Sequence, residues 1–415
     1  MATYGEQTRR GFLAESAKLA AVAGLVSAAG CGMADRGPAM QVVAGPKPRR
    51  FGPNDKIRFG IIGAGNRCNY VMKQLFEADK NISIKAVAEP VQANVDRALK
   101  DIKEALNETP DIHMGAEDYR KLLERNDIDA ILTATPCNMH AKVFLACFAA
   151  GKHVYGEKPM AITVNETDAM IEAQKKNPDT VCQIGFQRRG TTLYPKGIEL
   201  IRSGRIGRPM DVRAAWNNAW GPIGKPTDGH RSWFGRRSIS GDWMLEQACH
   251  TWDVLNWVAG KLPVAATGIG YPNLFKEMDP ERDVTDLYYA HIEYPEFYVD
   301  YEHSWICPHH DGYQNAPGGR FTGVFEHIGG LKGGVALNEG KFFPRDPEAR
   351  MEQYTEAESE PNWTRGSVGA FMKTLRGQGP NVCTVNEGRA ATLVGLLVRR
   401  AVYEHRRVTM NEIIG

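Results

Sequence analysis

The sequence carries little net charge, and its cysteines follow no pattern. Formal net charge is +2 over 415 residues, and no stretch concentrates lysine and arginine, which argues against a nucleic-acid partner. The eight cysteines are scattered without a Cys-x-x-Cys pair, which argues against a zinc knuckle and a small disulfide scaffold. There is neither a Gly-x-Ser-x-Gly elbow nor a P-loop, so two common catalytic motifs are excluded.

Composition places the chain among ordinary globular proteins. Apolar residues make up 42% of the sequence and charged residues 24%. A length of 415 residues exceeds the size at which single hydrophobic cores stop growing, so two domains are expected.

The first 55 residues are predicted to lie outside the folded body. Arg9 and Arg10 precede a Phe-Leu pair, an apolar run over 19–30 and then Cys31. This order resembles a twin-arginine export signal with a lipoprotein-type cleavage site, and the run is too short to span a bilayer. We therefore predict a signal peptide over 1–31, a periplasmic location and a candidate lipid anchor at Cys31. The alternative is a plain core helix. Residues 32–55, with four prolines and four glycines, are predicted to form a flexible linker.

A glycine turn follows the first apolar strand. The run over 56–62 ends at Gly63 and Gly65, and a helical pattern follows. A pyrophosphate needs backbone N–H groups at a helix N-terminus with no Cβ in the way, which is what these glycines provide. Cys68 stands where a third glycine is usual. The residues assigned to this cofactor turn are Gly63, Gly65, Asn66 and Arg67.

An acid follows the second strand. Glu89 ends the run over 82–88 and lies 24 residues past Gly65, where an acid hydrogen-bonds the adenosine ribose of a dinucleotide. A carboxylate there repels a 2′-phosphate, so NAD is favoured over NADP. The alternative is a solvated acid at a strand end.

The alternation of strands and helices continues as far as Glu157-Lys158-Pro159, which sets the class as α/β. Carboxyl ends of parallel strands are where ligands bind in such sheets. The next helix is predicted to begin at a capping box, Thr163 with Glu166.

The stretch DAILTATPCNMHAKVFLACFAAGKHVYGEKPM, with IGFQRR at 184–189, resembles the central signature of Gfo/Idh/MocA oxidoreductases. The resemblance implies a Rossmann domain with a doubly wound parallel sheet over 56–182. It also implies an α+β substrate domain with an open, mainly antiparallel sheet over 183–415. It places Lys158 beside the nicotinamide. The further cofactor-binding residues that it suggests are Thr135, Pro136, Asn138, His140, Glu157, Lys158 and Gln187.

Members of the family also have a helix with the sequence motif D-x-G-x-H-x-x-D. Here His250 and Asp253 match, whereas Glu246 replaces the first Asp and Ala248 replaces Gly. The longer acid and the added methyl group change the geometry that sugar dehydrogenases of the family use. These four residues are assigned to catalysis: Lys158, Glu246, His250 and Asp253.

Oxidising a secondary alcohol needs a base for the hydroxyl proton. Lys158 can act as that base only if desolvation and a cationic nicotinamide lower its pKa; otherwise it is a surface lysine paired with Glu157. On a single helix predicted over 242–259, Glu246, His250 and Asp253 share one face, so an acid one turn away can orient the imidazole. A histidine satisfied by a core hydrogen bond is the alternative.

Three functions fit these residues. The first is an NAD(P)-dependent oxidoreductase acting on a sugar, polyol or glycoside, with tightly held NAD. The second is a redox-neutral glycoside hydrolase, similar to exported NAD-dependent α-N-acetylgalactosaminidases. The third is a non-catalytic sugar-binding protein that retains NAD. A homo-oligomer is expected. No metal is expected, because the candidate ligands show no regular spacing; they are Glu302, His303, His309, His310 and Asp311.

Overall fold

The first half of the chain folds into a doubly wound parallel sheet, as predicted. The computed structural model describes residues 35–219, 221–308, 323–355 and 362–415. Six strands pair in parallel in the order β3-β2-β1-β4-β5-β6. They are β1 (Ile57–Ile62), β2 (Ile82–Ala88), β3 (Asp111–His113), β4 (Ala130–Thr133), β5 (His153–Gly156) and β6 (Cys182–Ile184).

Helices connect these strands and cover the sheet on both faces. The sheet interior is almost continuously apolar, as in the IRFGII run of β1, because neither face meets water. The predicted capping box of the fifth helix is confirmed: the Thr163 hydroxyl accepts from the Glu166 N–H at 3.3 Å, and the Glu166 carboxylate accepts from the Thr163 N–H at 3.0 Å. The helices are α1 (Asn66–Ala78), α2 (Gln92–Leu106), α3 (Tyr119–Leu123), α4 (Cys137–Ala149) and α5 (Val164–Lys176).

The second half builds a mixed nine-stranded sheet in the order β14-β13-β12-β11-β7-β10-β9-β8-β15. All but one of its strand pairs are antiparallel, and β7 and β10 run parallel with Asn217 opposite Ser304. The strands are β7 (Pro209–Asn217), β8 (Ala265–Pro272), β9 (Thr285–Glu293), β10 (Tyr298–Ser304), β11 (Gly323–Gly330), β12 (Gly333–Ala336), β13 (Lys341–Pro344), β14 (Glu352–Gln353) and β15 (Val408–Thr409).

One face of this sheet packs against helices and the other is open. Ile269, Tyr271 and Tyr298 are exposed on the open face, in agreement with the predicted open sheet. A 3₁₀ turn, Gln187–Gly190, leads from β6 into the second half, and a 3₁₀ segment, Pro226–Gly235, follows β7. The helices are α6 (Leu193–Arg202), α7 (Arg237–Ser240), α8 (Trp243–Glu246), α9 (Cys249–Ala259), α10 (Trp363–Leu375), α11 (Val385–Glu404) and α12 (Met410–Ile414).

The two halves are less separate than the predicted division at residue 182. Strand β6 continues the first sheet to Ile184. Helix α10, from the end of the chain, returns to pack on α1, and its Val368, Phe371 and Met372 join the core of the first half. A helix with one buried face can pack against either domain. Its position in the sequence does not show which of the two domains it joins.

The prediction of a free linker is wrong for residues 35–55. Asp35 pairs with Arg399, the Gly45 N–H donates to Asn177 Oδ1 at 2.7 Å, and Phe51 is buried in the first core. The glycines and prolines let the segment follow the surface closely, and its backbone groups find partners there.

The predicted signal peptide over 1–31, including Cys31, lies outside the described residues.

Candidate active site

The glycine turn leaves an open helix N-terminus. Gly63 has a φ of +77°, and an added Cβ would meet Thr135 Cγ2 at 3.0 Å. Gly65 precedes α1 and no side chain caps that helix end, while a Cβ on Gly65 would meet nothing within 4 Å. Backbone N–H groups with free space before them suit a pyrophosphate. Gly63 therefore shapes the turn, and Gly65 leaves the room that a dinucleotide needs.

Glu89 stands where the adenosine ribose is expected, at the end of β2. Its Oε1 accepts from the Val91 N–H at 2.9 Å and from Asn94 Nδ2 at 3.3 Å, so the carboxylate is held by the start of α2. From the same helix Arg97 donates to Asn66 Oδ1 at 2.6 Å. Asn94 and Arg97 were not predicted from sequence; the signal would have been polar residues in the first turns of the helix after Glu89.

The turn after β4 is fixed by His140. Its Nδ1 lies 2.6 Å from the Pro159 carbonyl oxygen and its Nε2 lies 2.8 Å from that of Thr135. Burial lowers the pKa of this histidine. The neutral ring donates to one of these two carbonyl oxygens, and both ring nitrogens face the strand ends rather than a cofactor. Pro136 precedes α4, and Asn138 lies half-buried in its first turn.

Arg67 ties the glycine turn to the other strand ends. Its Nη2 lies 2.9 Å from Glu157 Oε1 and donates to Gln187 Oε1 at 3.0 Å. Its Nη1 donates to the Thr364 hydroxyl at 3.3 Å, and Thr364 lies in the first turn of α10. Three predicted cofactor residues, Arg67, Glu157 and Gln187, are thus brought together at one edge of the sheet.

Lys158 is buried and paired with Glu246. Its Nζ donates to Glu246 Oε1 at 2.8 Å and to the Glu246 carbonyl at 2.6 Å. Burial acts to lower the pKa of Lys158, as predicted, but the neighbouring acidic groups, Glu246 foremost, together outweigh burial and raise it. In this arrangement Lys158 is an ammonium that donates its hydrogen bonds to Glu246. Its role as a base beside a cationic nicotinamide stays a prediction.

The single helix predicted over 242–259 is two helices, α8 and α9. The break falls at Gln247 and Ala248, and Glu246 ends the first helix, so it does not share a helical face with His250. Asp253 is also not beside the imidazole. Its carboxylate accepts from Arg189 Nε and Nη2 at 2.8 to 3.0 Å, because a buried acid is stable when a cation neutralises it.

His250 is buried between two aromatic rings. Trp216 lies nearly parallel to it, with centroids 5.9 Å apart and an interplanar angle of 14°, and Phe186 contacts it edge-on at 5.8 Å. Among the residues that the structure describes, Nδ1 has no hydrogen-bond partner. Burial, reinforced by the positive charge of Lys158, lowers the pKa of His250 well below its usual value. A neutral imidazole at this place can accept a proton.

The remaining sequence candidates are dispersed. Trp216 stacks on His250, whereas Trp233 stacks on Phe234 with ring centroids 3.9 Å apart. Glu302 and His303 point to opposite faces of β10, and only His303 is fully buried. His309, His310 and Asp311 lie outside the described residues. Within the described ranges no three histidine, cysteine or acidic side chains come together as a metal site, and no helix there has the length and apolarity to cross a membrane.

The chain joins a dinucleotide-binding sheet to a mixed sheet, and a lysine and a histidine lie at the junction. This arrangement defines a two-domain nicotinamide-dependent oxidoreductase. Comparison with known families agrees. Residues 57–186 match the oxidoreductase family with an NAD-binding Rossmann fold, and residues 196–322 match the GFO/IDH/MocA C-terminal domain. The chain belongs to the Gfo/Idh/MocA family, and its cofactor is NAD.

Individual relatives agree with this assignment. The chain is 24% identical over 360 residues to myo-inositol 2-dehydrogenase of Thermotoga maritima, which covers 86% of this chain and 100% of that protein. It is 30% identical over 164 residues to an alpha-N-acetylgalactosaminidase of Shewanella oneidensis, covering 39% of this chain and 35% of the relative. A Thermotoga maritima oxidoreductase structure shares the fold, with a TM-score of 0.69, 17% identity and coverage of 86% and 99%.

Proposed function

We propose that the chain oxidises a secondary alcohol of a sugar, polyol or glycoside, with NAD held tightly through the whole cycle. The observation that carries the proposal is the pairing of a neutral histidine with a held ammonium. His250 accepts the hydroxyl proton, and Lys158, kept protonated by Glu246, donates a hydrogen bond to the oxygen as negative charge develops. When bound, NAD supplies the acceptor for the hydride.

The relatives support this substrate class. One of them is named for myo-inositol, a polyol, and another for an N-acetylgalactosaminide. Trp216 beside His250 offers a flat apolar surface of the kind that the faces of sugar rings pack against.

A redox-neutral glycosidase is the second candidate. It needs one group that removes a proton and another that returns one, and His250 and Lys158 carry opposite protonation states in the same cleft. In such an enzyme the oxidised sugar loses its leaving group by elimination, water adds in its place, and the hydride returns to the same substrate. A non-catalytic NAD-retaining protein is the third candidate, and it has no use for a buried base beside a buried ammonium.

The test is to dialyse the purified protein exhaustively and search it for nicotinamide by absorbance and mass spectrometry. It is then assayed on glycosides and free sugars without added NAD. Retained cofactor with aglycone release indicates the glycosidase, and retained cofactor with conversion between two sugars indicates the oxidoreductase. Loss of all nicotinamide, with activity only in millimolar NAD and stoichiometric NADH release, would contradict the tightly held cofactor.

We propose that the protein works outside the cytoplasm. Twin-arginine export carries folded proteins, so NAD can be loaded before export, which fits a cofactor that is never exchanged. The double variant Arg9→Lys/Arg10→Lys is expected to leave the protein in the cytoplasmic fraction, and unchanged fractionation would overturn the proposal. The lipid anchor at Cys31 and the homo-oligomer stay predictions.

A further inference from the structure

Two consecutive arginines, the buried Arg188 and the largely buried Arg189, lie beside the helix that carries His250. Arg189 holds the Asp253 carboxylate of α9 with three contacts of 2.8 to 3.0 Å. Arg188 donates through Nη1 to Glu326 Oε1 on β11 at 2.6 Å. Both arginines belong to the 3₁₀ turn after β6, so this turn is joined to α9 on one side and to the second sheet on the other.

Glu326 has no exposed surface, and three side chains donate to it. Besides Arg188, the Thr251 hydroxyl donates to Oε1 at 2.8 Å and the Tyr194 hydroxyl donates to Oε2 at 3.0 Å. Thr251 is the residue directly after His250. A carboxylate that holds Thr251 therefore limits both the rotation of α9 and the direction of the imidazole.

Arg188 also contacts the ring that stacks on His250. Its guanidinium carbon lies 5.8 Å from the centroid of Trp216, and that indole lies 5.9 Å from the imidazole. One cation thus touches both supports of the histidine, namely Glu326 with Thr251 and the Trp216 ring.

Stability alone gives little reason to keep such a pair. Removing two charges from water costs several kcal/mol per ion, and apolar residues of similar volume often replace a buried ion pair without loss of stability. We therefore expect the pair to serve by holding its neighbours, Thr251 and Trp216, in place.

We propose that the Arg188–Glu326 pair is a positioning unit for His250, which fixes the imidazole through Thr251 and Trp216 and places a positive charge near it. This inference rests on the proposed role of His250 as the base. Each cation near the imidazole has a carboxylate partner. The pairs are Arg67–Glu157, Lys158–Glu246, Arg188–Glu326 and Arg189–Asp253.

The positive charge of Arg188 also acts on His250: after burial and the charge of Lys158, it is a further cause that lowers the pKa of the imidazole. Removing both members should therefore make the histidine easier to protonate.

The main test is the variant Arg188→Met/Glu326→Met, in which no unpaired buried charge is left. Histidine is labelled with ¹³C, and the His250 resonance is identified by its loss in His250→Gln. We expect protonation of His250 at least about one pH unit higher than in the wild type, which is a tenfold change in the equilibrium. We also expect kcat to fall roughly tenfold with little change in KM, because the base is displaced while the substrate pocket stays.

Three further variants separate positioning from folding. Arg188→Lys keeps the cation and should restore an unprotonated His250 while kcat stays reduced. Glu326→Gln keeps the cation too and should leave His250 unprotonated. The control removes the buried pair of Arg376 and Asp79, which packs on α1, and should lower stability without moving the His250 titration.

An unchanged His250 titration in the folded double variant would overturn the charge effect. Unchanged kcat there would overturn the positioning. If the double variant does not fold, Glu326→Gln and Arg188→Lys decide. A His250 that is easier to protonate in Glu326→Gln, or unchanged kcat in Arg188→Lys, would overturn the proposal, whereas reduced kcat in Arg188→Lys with His250 unprotonated would support it. If the titration moves as expected but His250→Gln keeps full turnover, the pair sets the state of His250 and the proposed function is what fails.

Discussion

The two ends of the cofactor cleft are built in different ways. At the dinucleotide end, Gly63, Gly65 and Glu89 belong to one strand-helix-strand segment. Backbone geometry and free space at the two glycines make room for the pyrophosphate. At the catalytic end, Lys158 and Glu246 are 88 residues apart in sequence and meet as a buried ion pair. The two glycines of the first end can be changed with little electrostatic consequence. The second depends on long-range charges that neutralise one another, so single changes there should cost more.

The largest effect is expected at His250. His250→Gln keeps a polar side chain of similar reach but removes the proton acceptor, so kcat should fall by roughly 10²-fold or more while NAD stays bound. The measurements are turnover and the nicotinamide content of the purified variant. His291→Gln, on the open face of the second sheet, is the control and should behave as the wild type. Near-normal turnover in His250→Gln would remove the histidine from the mechanism.

The Lys158–Glu246 pair should show a smaller but more informative effect. Glu246→Gln leaves the hydrogen bond from Nζ to the residue 246 carbonyl but removes the charge that raises the pKa of Lys158. The ammonium should then lose its proton at lower pH, so the alkaline limb of kcat/KM should move to lower pH, with about a tenfold loss of kcat. Lys158→Met should lose about 10²-fold without that limb. An unmoved alkaline limb in Glu246→Gln would contradict the role of the carboxylate.

The same contrast explains what the sequence could predict. The glycine turn, Glu89 and the capping box at Thr163 depend on neighbours in the chain, and the structure places them as expected. The partners of Asp253 and Lys158 depend on contacts between distant segments. A helical repeat gives Asp253 and His250 one face, but it cannot show that Arg189 takes the acid or that the helix breaks at Gln247.

The two glycines of the turn allow a matched test of the dinucleotide end. Gly65 has an ordinary φ of −62° and free space around a Cβ, so Gly65→Ala should fold normally and lose roughly tenfold in NAD affinity because the methyl group occupies the pyrophosphate space. Gly63→Ala should instead lower the melting temperature, since its φ is +77° and the Cβ meets Thr135. Melting of the cofactor-free proteins and NAD titration distinguish the two. Equal loss of stability in both would contradict the division of roles.

The smallest effect is expected at Asp242, a buried carboxylate whose ionisation lowers the stability of the catalytic end. Asp242 begins α8, the helix that ends at Glu246, and it has a φ of 77° and a ψ of 167°, a region that only glycine adopts easily. Its buried carboxylate accepts from the Tyr403 hydroxyl and from the Trp243 N–H, both at 2.6 Å. Burial nevertheless raises the pKa of Asp242 from 3.8 to about 6.

Because the folded pKa of Asp242 lies above the unfolded one, its contribution to stability is complete below about pH 4 and is lost as pH rises through 6. At pH 8 the ionised group costs up to about 3 kcal/mol, at 1.36 kcal/mol per pKa unit. Asp242→Asn removes this cost but weakens the hydrogen bonds by about 1 kcal/mol. Urea unfolding should therefore find the variant more stable than the wild type by about 1–2 kcal/mol at pH 8, and no more stable at pH 4.5. The exposed Asp211→Asn should show no such difference between the two pH values. A variant that is less stable than the wild type at pH 8 would mean that the charged acceptor stabilises the start of α8, and that the catalytic end is not held at a cost in stability.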